Sequence, residues 1–176
     1  ESFYLEFQPK LDLMKDKVIG FEALARLRIE NLGQVAPDEF IALAEEKLLI
    51  YDVGNHILLL ACDFLKRLQD EGFHETSVAV NISGIQLLRE DFVENLQQKL
   101  FSSEKVKKPL EFEVTETVLL DHFSQINETL EAIKKMDIAI SLDDFGTGYS
   151  SFSRLAELHI DTIKIDRFFI DKISHT

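Results

Sequence analysis

Two hydrophobic rhythms alternate along the chain. Short runs rich in β-branched residues, apolar at every second position, occupy Phe3–Leu11, Val18–Arg28, Ser77–Ile82, Leu110–Glu116, Ile138–Asp143 and Thr162–Asp166. A period of two predicts six strands. Between them, apolar residues recur every three or four positions: Val53, Ile57, Leu60, Phe64 and Leu68, then Leu88, Phe92, Leu96 and Leu100, then Ile126, Leu130 and Ile133. That spacing predicts amphipathic helices. Strands alternating with helices imply a parallel α/β sheet with right-handed crossovers, either doubly wound or closed into a barrel, and periodicity does not separate the two. The first two strands are joined only by Met14–Lys17. A link that short carries no helical crossover, so this pair is expected to be antiparallel.

Strand phase locates the candidate chemistry, because successive side chains point to opposite faces. Val78, Val80 and Ile82 share one face and Ala79 and Asn81 the other; Phe112 and Val114 oppose Glu113. Ile138, Ile140 and Leu142 oppose Asp143, and Ile163 and Ile165 oppose Lys164 and Asp166. On the second strand Glu22 is in phase with Gly20, Leu24 and Arg26. Polar groups thus recur at or near C-terminal strand ends, away from the apolar, helix-covered face, where barrel enzymes build their sites. Taken singly, each reads as a capping, salt-bridging or solvated group. Glu22, Asn81, Glu113, Asp143 and Asp144 together form an oxygen-rich set suited to Mg²⁺ or Mn²⁺, and a lysine beside cations, such as Lys164, can accept a proton from water. Glu111 shares the phase of Glu113 without an evident role.

Composition narrows the class. The 176 residues are 45% hydrophobic, enough for one domain with a substantial core. A net charge of −13 repels a nucleic acid polymer, whereas carboxylates can capture a small anion through divalent cations. The longest apolar run, Ile57 to Cys62, is too short to insert in a membrane, and no signal peptide is seen. The lone Cys62 is expected to be a buried hydrophobe in a reducing cytoplasm. Five histidines lack zinc-binding spacing. Asp143 to Ser151 places two of seven glycines in one strand-to-helix loop, which suggests a mobile border to the site.

At these positions the chain resembles the EAL domain family. Phe21-Glu22-Ala23-Leu24-Ala25-Arg26 is similar to the family's namesake signature, preceded by Phe7-Gln8-Pro9, and followed in order by Val80-Asn81-Ile82-Ser83, Glu113-Val114-Thr115-Glu116, Asp143 to Ser151 and Lys164-Ile165-Asp166-Arg167. The resemblance implies a modified TIM (β/α)8-type barrel with an antiparallel first strand. It implies two ions, Mg²⁺ or Mn²⁺, with Glu22, Asn81, Glu113 and Asp143 on the first and Asp144 and Asp166 near the second. Lys164 and Glu22 would be catalytic, Glu116 would hold the glycine-containing loop, and Gln8, Leu24 and Arg26 would contact the ligand. The implied activity is a phosphodiesterase linearising the bacterial second messenger cyclic di-GMP to pGpG.

The reading takes 1–176 as one EAL domain that stops after about six strands, short of the ~250 residues of a full barrel, so the family's later glutamate and QG motif have no counterpart. Lys10 replaces a common apolar residue, and Ala36 replaces a serine that would cap a helix at Pro37. The alternative is an inactive cyclic di-GMP receptor acting through a partner; the intact acidic set favours the enzyme. Expected partners are a second copy of the chain and fused GGDEF or sensor domains, which would also supply any membrane tether to a cytoplasmic protein.

Overall fold

The computed structural model describes residues 2–102, 109–116, 122–146 and 155–173. They form two units, Glu1–Asn81 with Leu100–Leu110, and Ile82–Lys99 with Glu111–Thr176.

The first unit is organised by a hairpin of β1 (Ser2–Asp12) and β2 (Lys17–Ile29), antiparallel as expected, with Gln8 opposite Glu22. The turn closes because the Asp12 carboxylate accepts the N–H groups of Met14 and Lys15 at 2.9 and 3.1 Å, while Asp16 adopts a left-handed φ of 49°. β4 (Ser77–Asn81) runs parallel to β2 on the side away from β1. Gly20 faces Ser77 so closely that a Cβ would lie 2.2 Å from the serine Oγ and 3.0 Å from its carbonyl oxygen, so a larger residue there would have to turn the serine side chain aside.

Three elements of this unit were not expected from periodicity or differ from it. β3 (Gly33–Val35) adds to β2, and α1 (Pro37–Glu46) starts from Ala36 without a side-chain cap, using Pro37 and the acidic Asp38 and Glu39 instead. In α2 (Ile50–Asp70) the buried stripe is Ile50, Gly54, Ile57, Leu58, Ala61 and Leu65. The predicted stripe of Val53, Ile57, Leu60, Phe64 and Leu68 is therefore displaced by about one residue, and only Ile57 belongs to both. Phe64 lies on the shoulder of the stripe, stacked on Phe7 at 3.7 Å and edge-on to Phe21 at 5.5 Å. Aromatic contact with the hairpin, rather than full burial, explains its place in the pattern.

In the second unit β5 (Leu110–Thr115), β6 (Ala139–Phe145) and β7 (Thr162–Ile165) run parallel in that order. α5 (Phe123–Lys134) covers β6 through Ile126, Leu130 and Ile133, all fully buried. Each such side chain contributes about 1.5–3 kcal/mol, enough to fix the helix rotation. The predicted helix from Leu88 to Leu100 is two: a short α3 (Gly84–Leu87) and α4 (Phe92–Ser102). Ser83 and Gln86 form a capping box that starts α3 early, and Leu88 is its C-terminal cap. The last predicted strand ends at Ile165, and α6 (Arg167–Ile173) follows. Among the described residues no helix is long and apolar enough to cross a membrane.

Candidate functional site

In the first unit the Glu22 carboxylate accepts a hydrogen bond from Asn81 Nδ2 at 3.0 Å, so the middle of β2 and the C-terminal end of β4 bring together two of the predicted metal ligands. Gln8 lies directly across from Glu22, and with Leu24 and Arg26, two and four positions on, shares one face of the hairpin. The Arg26 guanidinium is held at Nε by Glu6 at 2.8 Å and at Nη1 by the Ala25 carbonyl at 3.2 Å. Glu6 was not singled out from the sequence; its signal lay in the hairpin register, which puts it opposite Leu24, two residues from Arg26.

In the second unit parallel pairing of β5, β6 and β7 brings Glu113, Asp143 and Lys164 together. Carboxylate oxygens of Glu113 and Asp143 lie within 4.8 Å of one another. The Lys164 ammonium donates to Glu113 Oε2 and, at 2.9 Å, to Asp143 Oδ2. The Glu113 side chain is completely buried, so this is a desolvated carboxylate with a cation set against it. The other Asp143 oxygen, Oδ1, accepts the N–H of Asp144 at 3.0 Å. A cation standing between two hard oxygen donors is the arrangement a divalent ion would use, and the donor chemistry fits Mg²⁺ or Mn²⁺.

The neighbouring residues have definite places as well. Asp144 is exposed, at a φ of 54°. The buried Glu116 donates its backbone N–H to the Asp143 carbonyl at 3.3 Å, and its carboxylate accepts the Gly146 N–H at 2.9 Å. Asp166 lies beyond the end of β7, and its Oδ1 accepts the Phe168 N–H at 2.7 Å, capping α6. Glu111, left without a role by the sequence, accepts from the buried Ser141 hydroxyl one strand repeat away from Glu113 and Asp143. Residues 147–151 of the predicted loop lie outside the described residues. Cys62 is half-buried, and burial pushes its thiol up to about 11, with Asp63 adding to the effect, so it is inert at neutral pH.

The family model for the EAL domain matches residues 1–176. The chain belongs to the EAL domain family. Its relatives include the signaling protein YkoW of Bacillus subtilis, 38% identical over 98% of this chain and 22% of the relative. Another is the cyclic di-GMP phosphodiesterase NbdA of Pseudomonas aeruginosa, 37% identical over 97% of this chain and 22% of that protein. This EAL chain therefore spans about a fifth of the length of these curated relatives. Among solved structures, the PaMucR phosphodiesterase in complex with c-di-GMP superposes with a TM-score of 0.91 at 34% identity, covering 99% of this chain and 70% of that one. The fold is accordingly the α/β, modified TIM-barrel type with an antiparallel first strand, as the family resemblance implied.

Proposed function

We propose that this EAL domain is a cyclic di-GMP phosphodiesterase that uses Mg²⁺ or Mn²⁺. The observation that carries the reading is the Lys164 ammonium set between the Glu113 and Asp143 carboxylates. A fully buried carboxylate beside a partly exposed one, with a basic side chain against both, suits hydrolysis assisted by cations. Support for the substrate comes from family membership and from relatives named as cyclic di-GMP phosphodiesterases.

In this reading Glu22, Asn81, Glu113 and Asp143 would hold one ion, and Asp144 and Asp166 would serve a second. When bound, the ions supply positive charge that offsets the negative charge developing on the phosphoryl oxygens. Lys164 would orient the attacking water and, as the neutral amine that bound cations beside it favour, take up its proton, with Glu22 supporting the same step. Water oxygen bonds to phosphorus as the bond from phosphorus to one ribose 3′-oxygen breaks, that oxygen takes a proton from solvent to become the 3′-hydroxyl, and linear pGpG leaves. Gln8, Leu24 and Arg26 contact the dinucleotide, with Arg26 presented to it in the orientation that Glu6 and Ala25 fix. Glu116 holds the turn after β6 through Gly146. Control would come from a second copy of the chain and from GGDEF or sensor domains. The test is chromatography of cyclic di-GMP incubated with the protein and Mg²⁺. Formation of pGpG that stops on chelation supports the enzyme; binding without cleavage would make the domain a receptor instead.

A further inference from the structure

The end of β6 and the turn that follows it are strained, and something must hold them. Asp144 has a left-handed φ of 54° and Gly146 one of 98°. A side chain in that region costs of order 1 kcal/mol and persists only where the surroundings over-determine it. The strain matters because the Asp144 N–H, aimed by that backbone, donates to Asp143 Oδ1 and so sets the rotation of the Asp143 carboxylate, whose other oxygen faces Lys164. Glu116 grips the turn through its N–H on the Asp143 carbonyl and its carboxylate on the Gly146 N–H. The ring of Phe169 is also seated on Gly146, so closely that a Cβ there would lie 2.5 Å from ring Cε2 and 2.7 Å from Cζ. The ring is itself fixed in the first turn of α6. Its N–H donates to the Asp166 carbonyl at 3.1 Å, and Phe168 packs edge-on against it at 5.5 Å. Phe169 remains about one-third exposed, so core burial does not account for its position.

We propose that Phe169 is a positioning residue for the Asp143 carboxylate: its ring clamps the left-handed turn at Gly146 and keeps the Asp144 N–H on Asp143. The proposal rests on the reading of Asp143 as a metal ligand. It links the segment after Lys164 to the aspartate that faces Lys164, since both ends of the contact are short extensions of adjacent strands β6 and β7. Loss of a supporting contact around a metal ligand typically weakens affinity 10–100-fold. Phe169 acts through two intervening residues, so the lower end applies.

The test is Mn²⁺ affinity of the full chain, followed by the electron paramagnetic resonance signal of free Mn²⁺, which needs no turnover. Phe169→Ala should weaken Mn²⁺ binding about tenfold with an unchanged circular dichroism spectrum, and Phe169→Leu should recover most of it. Gly146→Ala should weaken binding, both by straining a backbone at a φ of 98° and by crowding the ring. In the double variant the two losses should fall short of multiplying, because removing the ring removes the crowding and leaves only the backbone strain. Wild-type affinity in a folded Phe169→Ala, or losses that multiply, overturns the proposal. Should Phe169→Ala unfold, Gly146→Ala decides alone, and wild-type affinity there overturns it. If the wild-type chain takes up no Mn²⁺, the reading of Asp143 as a ligand fails and the positioning role with it.

Discussion

Removing the Lys164 ammonium should destabilise the protein in the absence of metal, and the structure sets the size of the effect. Breaking a buried ion pair by deleting one partner costs about 3–5 kcal/mol when both groups are desolvated. Here Glu113 is fully buried, but the Lys164 and Asp143 side chains retain 28% and 21% of their exposure, so water reaches part of the cluster. Solvent screening brings the expected loss to about 2 kcal/mol. For a chain of this length that is a fall of about 4–8 °C in Tm. Lys164→Met separates charge from packing, because it keeps an unbranched apolar stem of similar length. Both variants should be melted with a chelator and again with Mn²⁺. With chelator, Lys164→Met should fall nearly as far as Lys164→Ala, and Mn²⁺ should raise the Tm of each variant more than that of the wild type, because a second cation then serves the orphaned carboxylates. Melting of both variants at the wild-type temperature in chelator would refute the claim that Lys164 neutralises a costly carboxylate pair.

Two further predictions concern stability away from the site. Leu48, exposed just past the end of α1 with a φ of 57°, occupies a position that favours glycine; Leu48→Gly should stabilise by about 1 kcal/mol, read as a rise in Tm, and a fall would contradict it. Burial acts to raise the Asp161 carboxyl, but hydrogen bonds from Lys134 and the Ile140 N–H outweigh it and hold the group below the usual range. Its contribution, at most about 1 kcal/mol at this partly exposed site, should be full above the unfolded value of about 3.9 and vanish as the pH falls below it. Denaturant titrations of wild type and Asp161→Asn should therefore converge under acid and differ at neutral pH; a gap that widens on acidification would reverse the sign.

The sequence made the strands legible because each alternates apolar residues, aromatic in β1 and largely β-branched in the later strands, with polar ones, and the short charged link after β1 made the hairpin legible too. What it obscured has specific causes. Gly33–Val35 is too short to show a period, and α1 lacks the capping residue that would announce it, since Ala36 contributes no side-chain acceptor. The rotation of α2 was misjudged because Phe64, large and apolar, was counted as core when it is an aromatic contact with the hairpin. Alternation also understated burial on the polar face: Glu113 and Ala79 are as inaccessible as Phe112 and Val78. The predicted residues pair locally, Glu22 with Asn81 and Lys164 with Glu113 and Asp143. Phe169 and Glu6 were invisible because their relevance comes from contacts across strands and turns, not from any pattern along the chain.

The most direct test of the functional account is the rate of pGpG formation from cyclic di-GMP as a function of Mn²⁺ concentration, measured for the wild type and Asp143→Ala side by side in the same protein. The account predicts turnover that rises with Mn²⁺ and disappears with chelator, and none above background in Asp143→Ala despite an unchanged circular dichroism spectrum, because a charged ligand is lost and the apolar core is untouched. Turnover that survives exhaustive chelation, or that persists at most of its rate in Asp143→Ala, would contradict it.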